Sequence, residues 1–196
     1  MLNTSWPFEL DNLNSFAYQK QFLTAEECKK IIDYGNSLRL SKGTTRGKDT
    51  AKVRKSDIAW IYPVPEMTWL FQRATAVITD LNSQFFKFDL WGFCEGFQFT
   101  KYKAPGGKYG AHIDKGMNQT ARKLSITIQL SDPKNYTGGE FRIIESSEKN
   151  PKGILSPPNE QGTLIAFPSF ALHEVKPVTK GERYSLVAWI TGPQFR

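Results

Sequence analysis

The chain has 196 residues, 39% of them hydrophobic, with a formal charge of +7. That is enough for one domain with a real core, and no apolar run is long enough to span a bilayer. The positive charge is scattered over many lysines, so it argues weakly for nucleic acid, equally for an acidic peptide, and most simply for a solvated surface. The stretch Met1–Ser15 lacks the basic start and apolar run of an export signal, so a cytoplasmic protein with no membrane partner is expected.

The first third is predicted helical. Thr24-Ala25-Glu26-Glu27 spells a capping box, and Cys28, Ile31, Ile32 and Leu38 continue it as a helical apolar stripe. Lys42–Lys55 is basic and rich in Gly and Thr, which predicts a solvated loop leading into a strand over Val53–Tyr62. Trp69, Leu70, Ala74, Val77, Ile78 and Leu81 then predict a second helix from Pro65 to Asn82. Phe85, Phe86, Phe88 and Trp91 follow and are expected in the core rather than on a dimer surface. Cys28 falls in the first helix and Cys94 in a predicted strand, and both are expected to be free, buried thiols.

From Trp91 onward the pattern changes to short strands between Gly and Pro turns. Phe93, Phe97 and Phe99 alternate with Gln98, Thr100 and Tyr102; Leu124, Ile126, Ile128 and Leu130 alternate with Ser125, Thr127 and Gln129. Further strands are predicted over Glu140–Ile144, Gly162–Phe167 and Tyr184–Ile190. Helices followed by many short strands predict an α+β domain on a β-sandwich or barrel. The polar face of these strands needs something polar inside.

The chain has two histidines. In His112-Ile113-Asp114, alternation along an extended segment puts imidazole and carboxylate on one side, where they can share a cation. His173 lies beyond the turn residues Pro168-Ser169. Two histidines and one carboxylate make the facial triad of non-haem iron(II) oxygenases, which leaves coordination positions open. Such a triplet alone is weak. No further histidine exists to complete a zinc site or a hydrolase triad, and Tyr102 and Arg183 lie ten residues before the first histidine and ten after the second. The planar guanidinium of Arg183 suits a carboxylate, with Tyr102 on the polar face as a further donor.

The segments RKLSITIQLSDPKNYTGGEF and GTLIAFPSFALHEVKPVTKGERYSLVAWITGP resemble the catalytic domain of prolyl 4-hydroxylase-type 2-oxoglutarate/iron(II) dioxygenases, particularly the PKHD-type branch. The resemblance implies a double-stranded β-helix, a cupin-like jelly roll buttressed by N-terminal helices. One domain over residues 1–196 is implied, with residues 1–90 giving helices and substrate-side strands and residues 91–193 giving the metal-binding core. It further implies iron(II) on His112, Asp114 and His173, 2-oxoglutarate on Arg183, dioxygen as oxidant, and ascorbate as an accessory reductant. Tyr102 and Trp189 match positions lining the cosubstrate pocket; Gln129 stands where many relatives carry a Tyr. Arg54 and Trp60 match an Arg and a Trp at the substrate entrance, with Arg122 as a third contact and Ser41–Lys52 as the loop closing over the target peptide. Trp60 read from the strand pattern alone is as readily core.

The expected reaction is hydroxylation of a prolyl residue in a peptide or protein, with release of succinate and carbon dioxide. A nucleic-acid demethylase of the same superfamily is an alternative, weakened because no second Arg follows Arg183 before Arg196. A jelly-roll module that binds metal or peptide without turnover is the other alternative, weakened by the retained Arg183 clamp. The sequence does not decide oligomeric state.

Overall fold

The computed structural model describes residues 13–45, 50–116, 121–145 and 153–194. The N-terminal stretch before residue 13 and residues 46–49 of the basic loop, on which two expectations fall, lie outside the described residues, as does Arg196. Strand β1 (Ala17–Gln19) leads into helix α1 (Ala25–Ser37), β2 (Ser41–Lys42), a helical turn α2 (Thr50–Val53), β3 (Arg54–Lys55), β4 (Asp57–Ile61) and helix α3 (Thr68–Leu81). The rest is mainly strand: β5 (Gly92–Phe93), β6 (Phe97–Lys103), β7 (Gly107–His112), β8 (Arg122–Gln129), β9 (Tyr136–Gly138), β10 (Phe141–Ile144), β11 (Ile154–Leu155), β12 (Leu164–Pro168) and β13 (Leu172–Thr191).

Two antiparallel sheets share β13. Its second half, from Glu182, joins the larger sheet in the order β1-β12-β8-β13-β6-β4-β2. Its first half pairs with β10 and β7 in the smaller sheet, with β11 beyond β10 and β3 beyond β7. Gly181 sits at the join with φ +74°, and a Cβ there would come within 2.4 Å of the Asn135 carbonyl. Only glycine fits that turn. The result is the expected α+β jelly roll, with helices on the outer face of the larger sheet.

Helix α1 begins as its sequence requires: Thr24 Oγ1 accepts from the Glu27 N–H at 3.1 Å, and Glu27 Oε2 accepts from the Thr24 N–H at 2.9 Å. Glu27 also grips Arg73 of α3 at 2.8 and 2.9 Å, so one carboxylate caps one helix and ties it to the next. The buried stripe Cys28, Ile31 and Gly35 faces the sheet; a Cβ on Gly35 would meet the Phe99 ring at 2.6 Å. From α3, Leu70, Ala74, Ile78 and Leu81 join the same core, together with Leu124, Ile126, Ile128, Leu186, Ala188 and Ile190 of the sheet. A smaller apolar cluster, including Tyr102, Phe141, Ile143, Phe167 and Val175, lies between the two sheets.

Several elements differ from their sequence expectations. The predicted strand Val53–Tyr62 is split: Val53 ends the turn α2, Arg54–Lys55 pairs with β7, and Asp57–Ile61 pairs with β6 in the other sheet. Both pairings recruit short segments whose cross-strand partners lie far along the chain, which local periodicity does not report. Helix α3 stops at Leu81 and passes into a π-helical turn, Asn82–Phe86. Phe86 is buried as expected and Phe88 packs against the core, but Phe85 and Trp91 are exposed, Trp91 at 70%. Both cysteines are free; Cys28 is buried, its thiol pushed up to about 12 by burial, whereas Cys94 lies exposed in the bend between β5 and β6. Among the described residues, no helix is long and apolar enough to cross a membrane.

Candidate active site

The shared strand and its neighbour β7 place the three expected ligands. His173 near the start of β13 is the direct cross-strand partner of His112 at the end of β7, and Asp114 follows two residues later. Their ligand atoms all lie within 4.8 Å of one another. His112 Nε2 is 3.6 Å from Asp114 Oδ1, and His173 Nε2 is 3.5 Å from Asp114 Oδ2. Both imidazoles turn their Nδ1 to backbone carbonyls, His112 to Gly110 at 2.8 Å and His173 to Ala171 at 2.9 Å. A carbonyl only accepts, so each Nδ1 carries the proton and each Nε2 presents a lone pair to the common point.

The surroundings keep these donors in the form a cation needs. Burial, with the neighbouring His173, pushes His112 down to about 4, so this ring is neutral at neutral pH. Burial works against the Asp114 carboxylate, yet the two imidazoles and the Ser125 hydroxyl hold it below the usual carboxylate range. Ser125 Oγ donates to Asp114 Oδ2 at 2.7 Å and lies 3.0 Å from Ser169 Oγ. The Asp114 and Lys115 N–H groups both donate to the Ser169 carbonyl, at 2.9 and 2.8 Å, which fixes the loop that bears the carboxylate. Tyr109 stacks on His112 with ring centroids 3.5 Å apart. This donor set suits a divalent transition metal with open positions.

Arg183 is 1% exposed on the same inner face. Its guanidinium donates to Gln129 Oε1 at 2.7 Å and sits 5.4 Å from the Tyr102 ring, so these three residues form one cluster. Tyr102 is buried, which raises its pKa and keeps it a neutral donor. Trp189 lines the same inner cavity as Tyr102 and the three ligands, at its metal end: the Arg122 guanidinium stacks over it at 3.8 Å and Trp60 is 6.2 Å away. Among the described residues the buried Nε1 of Trp189 has no hydrogen bond of ordinary geometry, although it lies near enough to Asp114 to help hold that carboxyl low. Thr100 Oγ1, on the inner face of β6 opposite Ser185, is also buried without a partner. Buried polar atoms normally find partners, so these two fit a site built for a polar guest.

A mouth of about 640 Å³ opens onto His112 and Asp114 and is bordered by Arg54, Trp60, Arg122 and Trp189. Arg54 is pinned by Ser56 at 2.9 Å and Gln98 at 2.7 Å and lies 4.4 Å over Tyr109, which links the mouth to His112. Arg122 is fixed by Glu95 at 2.6 Å. The structure thus gathers Arg54, Trp60, Arg122 and Trp189 on one side of the metal point, and Tyr102, Gln129 and Arg183 in a second cluster. Ser125, Ser169, Tyr109 and Glu95 were missed by sequence reasoning. Only Ser125 carried a signal, as one of the polar residues that alternate with the apolar ones in β8.

The fold and this constellation define an oxygenase architecture, and the comparisons agree. Residues 97–191 match the 2OG-Fe(II) oxygenase superfamily. A PKHD-type hydroxylase of Prochlorococcus marinus strain MIT 9211 is 34% identical over 176 residues, 87% of this chain and 75% of that protein. The chain therefore belongs with the PKHD-type hydroxylases, in the 2OG-Fe(II) oxygenase superfamily. PKHD-type hydroxylases from Acidovorax ebreus (35% identical, 47% of this chain and 41% of that one) and Prochlorococcus marinus strain SARG (40%, 59% and 49%) are also similar. The chain spans less than half the length of these two. In fold it resembles a Pseudomonas putida prolyl-4-hydroxylase, with TM-score 0.71, 22% identity and coverage of 91% and 93%. It likewise resembles a Trichoplax adhaerens prolyl hydroxylase solved with a hypoxia inducible factor peptide, with TM-score 0.75, 21% identity and coverage of 91% and 84%. The superfamily implies iron(II), 2-oxoglutarate and dioxygen, and His112, Asp114 and His173 are the residues able to hold the metal.

Proposed function

We propose that this chain is a dioxygenase that hydroxylates a prolyl residue of a peptide or protein while converting 2-oxoglutarate to succinate and carbon dioxide. One oxygen atom of dioxygen ends in succinate and the other in the substrate hydroxyl. The observation that carries the reading is a metal-competent triad at the floor of an open mouth lined by aromatic rings and guanidinium groups.

Iron(II) held by His112, Asp114 and His173 would supply the activation of dioxygen. The chain's own residues do the rest. His112 and His173 offer Nε2 while Gly110 and Ala171 hold their Nδ1 protons. Asp114 contributes the negative charge, oriented by Ser125. Arg183, with Tyr102 and Gln129, receives the far carboxylate of 2-oxoglutarate by paired hydrogen bonds. Trp60 and Trp189 give the apolar walls against which a pyrrolidine ring packs, and Arg54 and Arg122 hold peptide carbonyls at the rim. No side chain acts as general base.

The test is succinate formation by the purified chain with iron(II), 2-oxoglutarate, ascorbate and proline-containing peptides. Peptide-stimulated succinate, with hydroxyproline in the peptide and neither product in His112→Ala, is expected. Stimulation by a methylated oligonucleotide and not by peptide would overturn the reading.

A further inference from the structure

A second cavity, of about 610 Å³, lies on the other side of Arg54 from the metal mouth, and Arg54 borders both. Its wall carries Lys42, Lys55, Lys101 and Lys103. Among the described residues, the carboxylates reaching these ammonium groups are Asp57, 2.6 Å from Lys42, and Glu182, 3.0 Å from Lys101 and 3.8 Å from Lys103. Lys55 donates to the Pro105 carbonyl at 2.7 Å, which leaves its charge unanswered. Five cations against two carboxylates leave an excess of three positive charges around one concavity. Its chemistry is that of a carboxylate receptor.

The wall between the two cavities is thin. A Cβ on Gly43 would come within 2.6 Å of Arg54 Nε and 2.4 Å of Ser56 Oγ, so the backbone there rests directly on the Arg54 side chain. The mouth and the lysine cavity are one side chain apart, and an extended peptide advances about 3.3 Å per residue. A chain with one residue at the metal therefore brings a side chain about two to four residues away to the lysines. The cavity also sits where β2, the end strand of the larger sheet, meets β3, the end strand of the smaller, a setting open to an extended chain. Among the described residues no aromatic side chain lines it, so these offer no surface on which nucleobases stack.

We infer that this cavity is an acidic-residue subsite: it takes an Asp or Glu side chain of the substrate peptide, about two to four residues from the residue held at the metal. The inference rests on the peptide reading of the mouth and narrows the substrate to acidic sequences.

Fluorescence anisotropy of the full chain tests it without turnover. The probes are two proline peptides, one with a Glu pair and one with a Gln pair at those positions, and a thymidine oligonucleotide of similar charge. At low ionic strength the Glu peptide is expected to bind about tenfold more tightly than the Gln peptide. The preference should fall to about two-fold or less in Lys55→Gln/Lys103→Gln, and in wild type near 1 M salt, where the screening length is about 3 Å. Thermal unfolding of the double variant, and of Lys103→Gln alone, verifies that the fold is intact. Equal binding of the two peptides, a preference that survives the double variant, or tighter binding of the oligonucleotide would each overturn the inference. Absent succinate with the charge preference intact would sink the hydroxylase reading only.

Discussion

The two faces of the larger sheet are built from the same strands and do opposite things. On the helix side β8 presents Leu124, Ile126 and Ile128, and β13 presents Leu186, Ala188 and Ile190, all in one apolar core. On the inner side β8 places Ser125, Thr127 and Gln129, and β13 places Ser185 beside Val187 and Trp189; the four polar residues are equally buried. Burial alone therefore does not distinguish structure from function here. Polarity at full burial does, because an unpaired buried polar group is costly and each of these must earn a partner. Asp114 takes Ser125, and Arg183 takes Gln129 and, at 3.4 Å, Ser185.

The strongest way to break the comparison is to cut into each face. Asp114→Ala should abolish metal binding and turnover while unfolding stays close to wild type, because the carboxylate is held for the cation and not for packing. Isothermal titration with manganese, beside thermal melting, measures both. Ile126→Ala on the opposite face should do the reverse, costing about 2–5 kcal/mol of stability with little change in the metal affinity of the folded fraction. Denaturant unfolding reads the first effect and titration the second. A loss of metal affinity without loss of stability in Ile126→Ala would dissolve the distinction.

Gentler changes sharpen it. Ser125→Ala removes one hydrogen bond to a ligand and should weaken metal binding about tenfold, measurable in the same titration. Gly35→Ala pushes a methyl into the Phe99 ring and should cost about 1–3 kcal/mol with the metal site untouched. The smallest effect concerns the helix layer and pH. Arg73, with the capping-box N–H, lowers Glu27 to about 2 from the ordinary 4.5. Stability from this depressed carboxyl is complete above the unfolded value and is lost as pH falls toward about 2. With Arg73 side chain 42% exposed, solvent screening limits the contribution to about 1 kcal/mol. Wild type and Glu27→Gln should differ by that much in urea melts at neutral pH and converge in acid.

Much of this was legible in the chain. The strict alternation in β8 assigned the two faces, the capping box fixed the start of α1, and His112, Asp114 and His173 converge as their spacing and resemblance implied. The parts that were not legible depend on long-range pairing. Nothing local in Val53–Tyr62 tells that Arg54 pairs with Tyr109 while Asp57 pairs with Lys101 in the other sheet. Glu95 and Ser169 are equally silent, because their role exists only once β8 brings Arg122 and Ser125 to them. Trp91 shows the converse: an aromatic residue in an apolar run, left in solvent because the chain turns out of the core before β5.

On the proposed function, the inner face holds a metal at one cluster and a dicarboxylate at the other. Calorimetric titration of 2-oxoglutarate into the chain, with and without manganese and under anaerobic conditions, tests it most directly. One 2-oxoglutarate per chain is expected, bound far more weakly without the metal or in Arg183→Leu, and partly restored in Arg183→Lys. Binding that ignores both the metal and Arg183 would contradict it.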